Sequence, residues 1–89
     1  MATQTNLTTF QNECLQLLIT DFKAAREKFL ELHAFADVDT VEKAECEMDV
    51  IGDSIMSLLF HSAKTEQEKR ELRKKGYDYH QKIKFILSL

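Results

Sequence analysis

The chain has 89 residues, 44% hydrophobic and 30% charged, with a net charge of −3 at neutral pH. That length supports one modest core and no second domain, and the composition is that of a folded chain rather than a disordered one. Two glycines and no proline are too few turn residues for a sandwich or barrel, so a single all-α domain over residues 1–89 is expected.

The first helix is expected over about residues 8–36, starting at Thr8 or Thr9. Counted from Thr9, the third residue on is Asn12, so the capping signal is partial. Phe10, Cys14, Leu17/Leu18, Phe22, Ala25, Phe29, Leu32 and Ala36 then recur at helical spacing, and Asp37-Val38-Asp39 ends the pattern. A second helix is expected over about residues 40–61, capped by Asp39 or Thr40, with Glu42 completing a box from Asp39. Its seam is Val41, Ala44, Met48, Ile51, Ile55, Leu58 and Ser62, in alternating steps of three and four. The third, over about residues 65–88, opens on Thr65-Glu66-Gln67-Glu68, a capping box, and carries Leu72, Gly76, Tyr79, Ile83 and Ile86 on one face.

These elements predict an antiparallel three-helix bundle. Folding the second and third helices about the His61–Lys64 turn pairs residues whose numbers sum to about 127. Val41 then meets Ile86, Ala44 meets Ile83, Met48 meets Tyr79, Ile51 meets Gly76 and Ile55 meets Leu72. The turn at Asp37–Asp39 brings Phe29 near Met48 and Phe22 near Ile55. On this register Ile51→Asp should unfold the protein.

Several apolar residues fall outside these seams. Leu7 and Phe10 sit on the overhanging start of the first helix, and Leu15, Ile19, Leu30, Val50, Phe60, Phe85 and Leu89 lie off the apolar faces. Of these, Leu7, Phe10, Ile19, Leu30, Phe60 and Phe85 are the candidate partner-binding residues. The simplest partner is a second copy, giving a homodimer.

Charge is divided unevenly, net −7 over residues 1–63 and +4 over residues 64–89. The register places Glu42, Glu45, Asp49 and Asp53 opposite Lys84, His80, Tyr77 and Arg73, which would satisfy the asymmetry within the fold. Glu66–Arg70 and Glu71–Lys75, each four apart, would pair on the surface. Alternatively Lys69, Arg70, Arg73, Lys74, Lys75, Lys82 and Lys84 form a basic flank for nucleic acid, interleaved with Tyr77, Tyr79 and His80. Acidic residues interrupt that run and no reader motif frames it.

Patterns that carry chemistry are missing from the sequence. A helical carboxylate–histidine metal site needs Glu three residues before His, whereas Leu30, Leu58 and Tyr77 precede His33, His61 and His80. His33 and Asp37 are four apart, but Asp37 is read as a helix terminator. Cys14 and Cys46 match no ligand spacing and read as buried hydrophobes of a reducing compartment, the cytoplasm or a host cell interior. No apolar run approaches the roughly 20 residues of a membrane span, and Met1–Asn6 lacks the basic start of a secretory signal. No cofactor, metal or catalytic activity is expected. The sequence reads as a non-enzymatic helical protein–protein interaction module, a regulator, adaptor or inhibitor of the kind phages and mobile elements encode. A nucleic-acid-binding regulator is the alternative.

Overall fold

A computed structural model of the protein describes residues 7–89; the expectation about Met1–Asn6 lies outside them. The regular structure is entirely helical: α1 (Thr9–His33), α2 (Val38–Ser62), α3 (Glu66–Tyr77) and α4 (Tyr79–Leu87). The all-α expectation holds. The three-helix count does not, because the third helix is broken in two.

Each helix start is set by a side chain that takes up an orphan backbone donor. Thr8 caps α1: its hydroxyl accepts from Gln11 N at 3.1 Å while Thr8 N donates to Gln11 Oε1 at 3.0 Å. The capping box is therefore complete one residue earlier than the Thr9–Asn12 reading allowed. Asp37, expected to end the first helix, begins the second: its Oδ1 accepts from Thr40 N at 2.8 Å. That bond holds the Asp37 carboxyl below the usual carboxylate range. Thr65 caps α3 as expected, accepting from Glu68 N at 3.1 Å, and the Glu68 carboxylate accepts from Lys64 N at 3.1 Å.

The break falls at Asp78. Its backbone is extended, φ −97° and ψ 136°, and its carboxylate accepts from Gln81 N at 3.0 Å to open α4. The chain then folds back on itself. The Lys75 ammonium lies 4.8 Å from the centroid of the Phe85 ring, whereas ten residues of unbroken helix would separate their backbones by about 15 Å.

The α1–α2 hairpin runs nearly the full 44 Å length of the molecule, as two 25-residue helices should. Its register is close to the expected one. Lys28 reaches Glu47 at 3.7 Å, and the Phe22 ring lies against Gly52, three residues from the expected partner Ile55. The core takes Leu15, Ile19 and Phe22 from α1, Ala44, Met48, Ile55 and Leu59 from α2, Leu72 from α3 and Ile86 from α4. No described polar or charged residue is buried among them. Each large side chain there contributes about 1.5–3 kcal/mol before the cost of ordering it.

Against α2, the third-helix register changes at the elbow. Gly76 approaches the Met56 methyl, shifted from the expected Ile51. Beyond it, Tyr79 bonds Glu45, Lys82 bonds Asp53 and Ile86 packs on Gly52. The α2 partner thus advances from 45 to 52–53 as α4 advances. An antiparallel continuation would make it recede, so Ile86 lies on Gly52 in place of the expected Val41, while Tyr79 stays within one turn of the expected Met48. Gly52 permits the junction, since a Cβ there would stand 3.2 Å from Phe22 Cε1 and 3.4 Å from Ile86 Cδ1.

Candidate interaction surface

The off-seam residues separate into two groups once α1 is seen in its true rotation. The buried row is Leu15, Ile19 and Phe22, not Phe10, Cys14 and Leu17. Ile19 is therefore core, only 4% exposed, and Leu15 is fully buried. Leu7, Phe60 and Phe85 are half-buried and pack against the core. Of the six candidate contact residues, Phe10 (72%) and Leu30 (49%) remain on the surface. Leu17 (69%), Val50 (65%), Phe35 (77%), Val38 (69%) and Tyr77 (93%) join them as exposed large side chains.

Three of these residues, Phe10, Leu17 and Val50, share a face with their neighbours. The Lys28–Glu47 ion pair marks one side of the hairpin, and its exposed charges serve as a landmark more than a source of stability. Stepping back along α1 from Lys28 in helical periods gives Leu17, Cys14 and Phe10 on that side. Stepping forward along α2 from Glu47 gives Val50, Ser54, Leu58 and His61. Val50, Asp53, Ser54, Ser57, Leu58 and His61 line a shallow open depression there. The other flank of α2, carrying Glu45 and Gly52, is covered by α4; Asp53, at the edge of the depression, is tied to α4 by Lys82 yet stays exposed. The result is an uncovered strip on which Phe10, Leu17 and Val50 are exposed, with the carboxylates of Asp21 and Asp53 among them. Phe35 and Val38 lie apart from it, at the α1–α2 turn.

The acidic row of α2 meets α4 through contacts other than those the register implied. Tyr79 OH donates to Glu45 Oε2 at 3.2 Å and Lys82 Nζ lies 3.1 Å from Asp53 Oδ1. Burial, reinforced by the bond to Glu45 and the charges of Glu45 and Asp49, pushes Tyr79 up to about 12. Asp49, between them, is raised first by desolvation and then by Glu45 and Asp53, against the pull of Lys82.

Other cations of the basic flank also turn inward. Lys69 and Arg73 sit over the Phe60 ring at 5.7 and 5.1 Å, and Lys75 sits over Phe85. Lys69 also reaches Glu66 at 3.9 Å, where pairing of Glu66 with Arg70 was expected. Arg70, Arg73, Lys74, Lys75 and Lys84 are all exposed, so four cations of the flank have a ring or carboxylate beside them while five still face solvent.

The described residues hold no group of three or more histidine, cysteine or acidic side chains placed to bind a metal ion. His61 Nδ1 donates to Ser57 O at 2.8 Å in the last turn of α2, where the helix dipole favours it. His33 and His80 stack edge-on against Phe29 and Tyr79. Cys14 is half-buried and Cys46 is exposed, which corrects the expectation that both are buried. No described helix is long and apolar enough to cross a membrane. Compared with known protein families, curated proteins and solved structures, the chain matches none.

Proposed function

We propose that the chain is a non-enzymatic helical interaction module whose contact surface is the uncovered face of the α1–α2 hairpin. The observation that carries this reading is the exposure of Phe10 and Leu17 on one helix alongside Val50 on the next. Single exposed apolar residues are ordinary, but a row of them on one face marks a contact surface. Two antiparallel helices form a trough with a ridge on each side, the shape that takes an amphipathic helix of a protein partner at spacings of three, four and seven. A regulator, adaptor or inhibitor works through such a surface.

The basic flank is read first as structural, since stacking and ion pairing tether α3 and α4 through four of its members. Nucleic-acid binding would rest on the exposed Arg70, Arg73, Lys74, Lys75 and Lys84, with the exposed Tyr77 beside them.

Affinity capture from the source cell separates the two readings. Leu17→Asp and Val50→Asp should each abolish capture of a specific protein while leaving the circular dichroism spectrum unchanged. Arg70→Glu with Lys74→Glu should leave capture intact. Loss of a salt-sensitive nucleic-acid complex in the charge-reversed protein, with the apolar variants still binding, would overturn the proposal.

A further inference from the structure

We infer that α4 is a detachable segment that exchanges with that of a second copy, with Asp78 as the hinge. The inference concerns a surface other than the α1–α2 face and does not depend on the function proposed above. Two descriptions of residues 66–87 compete. In the sequence, Leu72, Gly76, Tyr79, Ile83 and Ile86 keep helical spacing across the elbow, and no proline interrupts them. In the folded protein one residue departs from helix, Asp78, with ψ at 136°. Turning that single dihedral to the helical value near −42° would join α3 and α4 into one rod about 33 Å long.

What holds the elbow closed is the contact set of one nine-residue helix. Asp78 contributes one capping bond to Gln81 N. Of the nine residues of α4, only Ile86 is fully buried, while Tyr79, Ile83, Phe85 and Leu87 are half-buried and pack against the core. The remaining anchors named above are the Tyr79–Glu45 hydrogen bond, the Lys82–Asp53 ion pair and the Lys75–Phe85 stack. Straightening breaks the Lys75–Phe85 stack and uncovers Gly52, Phe22 and the acidic row Glu45, Asp49 and Asp53. The side chains that fit this vacated seat are those of α4 itself: an isoleucine for the glycine notch, a phenol for Glu45 and an ammonium for Asp53. A second copy supplies the same set in the same order. Exchange therefore restores every α2–α4 contact between chains while allowing both elbows to relax into continuous helix, the usual low-cost route to a swapped dimer.

The hinge is tested first by sedimentation of the wild type, Asp78→Ala and Asp78→Ser. Serine keeps a capping acceptor and should behave as the wild type. Alanine removes the cap and favours helix, which shifts each hinge roughly five- to tenfold and dimerisation about 25- to 100-fold. A second test asks whether α4 has crossed. In the Asp78→Ala background, Asp53→Lys and Lys82→Glu each place like charges at the α2–α4 contact. Mixed together, swapped chains form a heterodimer in which both contacts are again oppositely charged, so it should dominate and melt above either protein alone. An unswapped dimer keeps both clashes inside each chain. Should either variant be too unstable to isolate, refolding the two together from urea gives the same reading. An Asp78→Ala protein that stays monomeric at millimolar concentration overturns the inference. So does a heterodimer fraction no greater than the statistical value of about one half, or a mixture that does not refold.

Discussion

The two glycines are both helical, yet replacement by alanine should move stability in opposite directions. Alanine within a helix is favoured over glycine by about 1 kcal/mol because glycine loses more backbone freedom on folding. At Gly76 the new methyl meets only the tip of Met56, 3.1 Å from Cε, and an unbranched thioether moves aside easily. Gly76→Ala should therefore gain about 0.5–1 kcal/mol. At Gly52 the methyl would stand 3.2 Å from the Phe22 ring and 3.4 Å from Ile86, and those side chains are 1% and 0% exposed. Neither has space to retreat into, and overpacking of this kind costs about 1–3 kcal/mol. Set against the helix gain, Gly52→Ala should lose about 1 kcal/mol, lowering Tm by roughly 4–8 °C for a domain of this size. Urea unfolding followed by far-UV circular dichroism checks this, provided the slope with denaturant is unchanged. Phe22→Leu in the Gly52→Ala background should recover part of the loss, giving a favourable coupling of about 0.5–2 kcal/mol. If Gly52→Ala stabilises the protein as much as Gly76→Ala does, the α1–α2–α4 junction is not as close as described and the argument fails.

Three further outcomes follow from burial and charge. Ile55→Asp should unfold the chain, because it places a carboxylate without a partner at a site with no exposure. Ile51→Asp, at a half-buried position, should leave a folded protein of lower Tm; equal damage at the two sites would argue for a different rotation of α2. Tyr79 has a folded pKa of about 12 against 10, so its contribution is complete below pH 10 and is lost as pH rises through 12. Wild type should exceed Tyr79→Phe in stability by about 1 kcal/mol near neutrality, the usual worth of a hydrogen bond. That advantage should shrink above pH 10, and a difference independent of pH would refute the Tyr79–Glu45 contact. Asp49 is raised above 3.8, so its protonated form is the one the fold favours: the stability it confers is present below pH 3.8 and falls as pH rises through the folded value. Asp49→Asn should accordingly raise Tm at neutral pH, with the gain fading in thermal melts at acid pH.

Much of the hairpin could be read from the chain because its two helices are long and their apolar spacing is uninterrupted. The α1–α2 register came within three residues, since a short turn between long helices leaves few alternatives. The rotation of α1 was harder. Leu15, Leu17, Leu18 and Ile19 are all apolar, so spacing admits two faces, and the one containing Phe10 and Leu17 looked as good as the one buried. What decides between them is tertiary: Phe22 and Leu15 are held by α2 and its partners, leaving Phe10 and Leu17 in solvent. The same ambiguity displaced Ile19 from the expected contact surface and brought Leu17 onto it.

The elbow at Asp78 was missed for a different reason. Helical periodicity reports which residues share a face of a straight helix, and Leu72, Gly76, Tyr79, Ile83 and Ile86 satisfy it whether or not the helix bends between them. The local signal was present, an aspartate three residues before a glutamine, and Asp78 caps α4 in the folded chain. Such a signal competes with continuous helix by only about 1 kcal/mol, too little to settle the matter locally. The bend is decided by where Ile86 is buried, in the notch at Gly52 beside Phe22. A break chosen by so small a local margin, and held by side chains that a second copy carries in the same order, is also one that a second copy can reverse. The feature least legible in the sequence is thus the one most open to exchange.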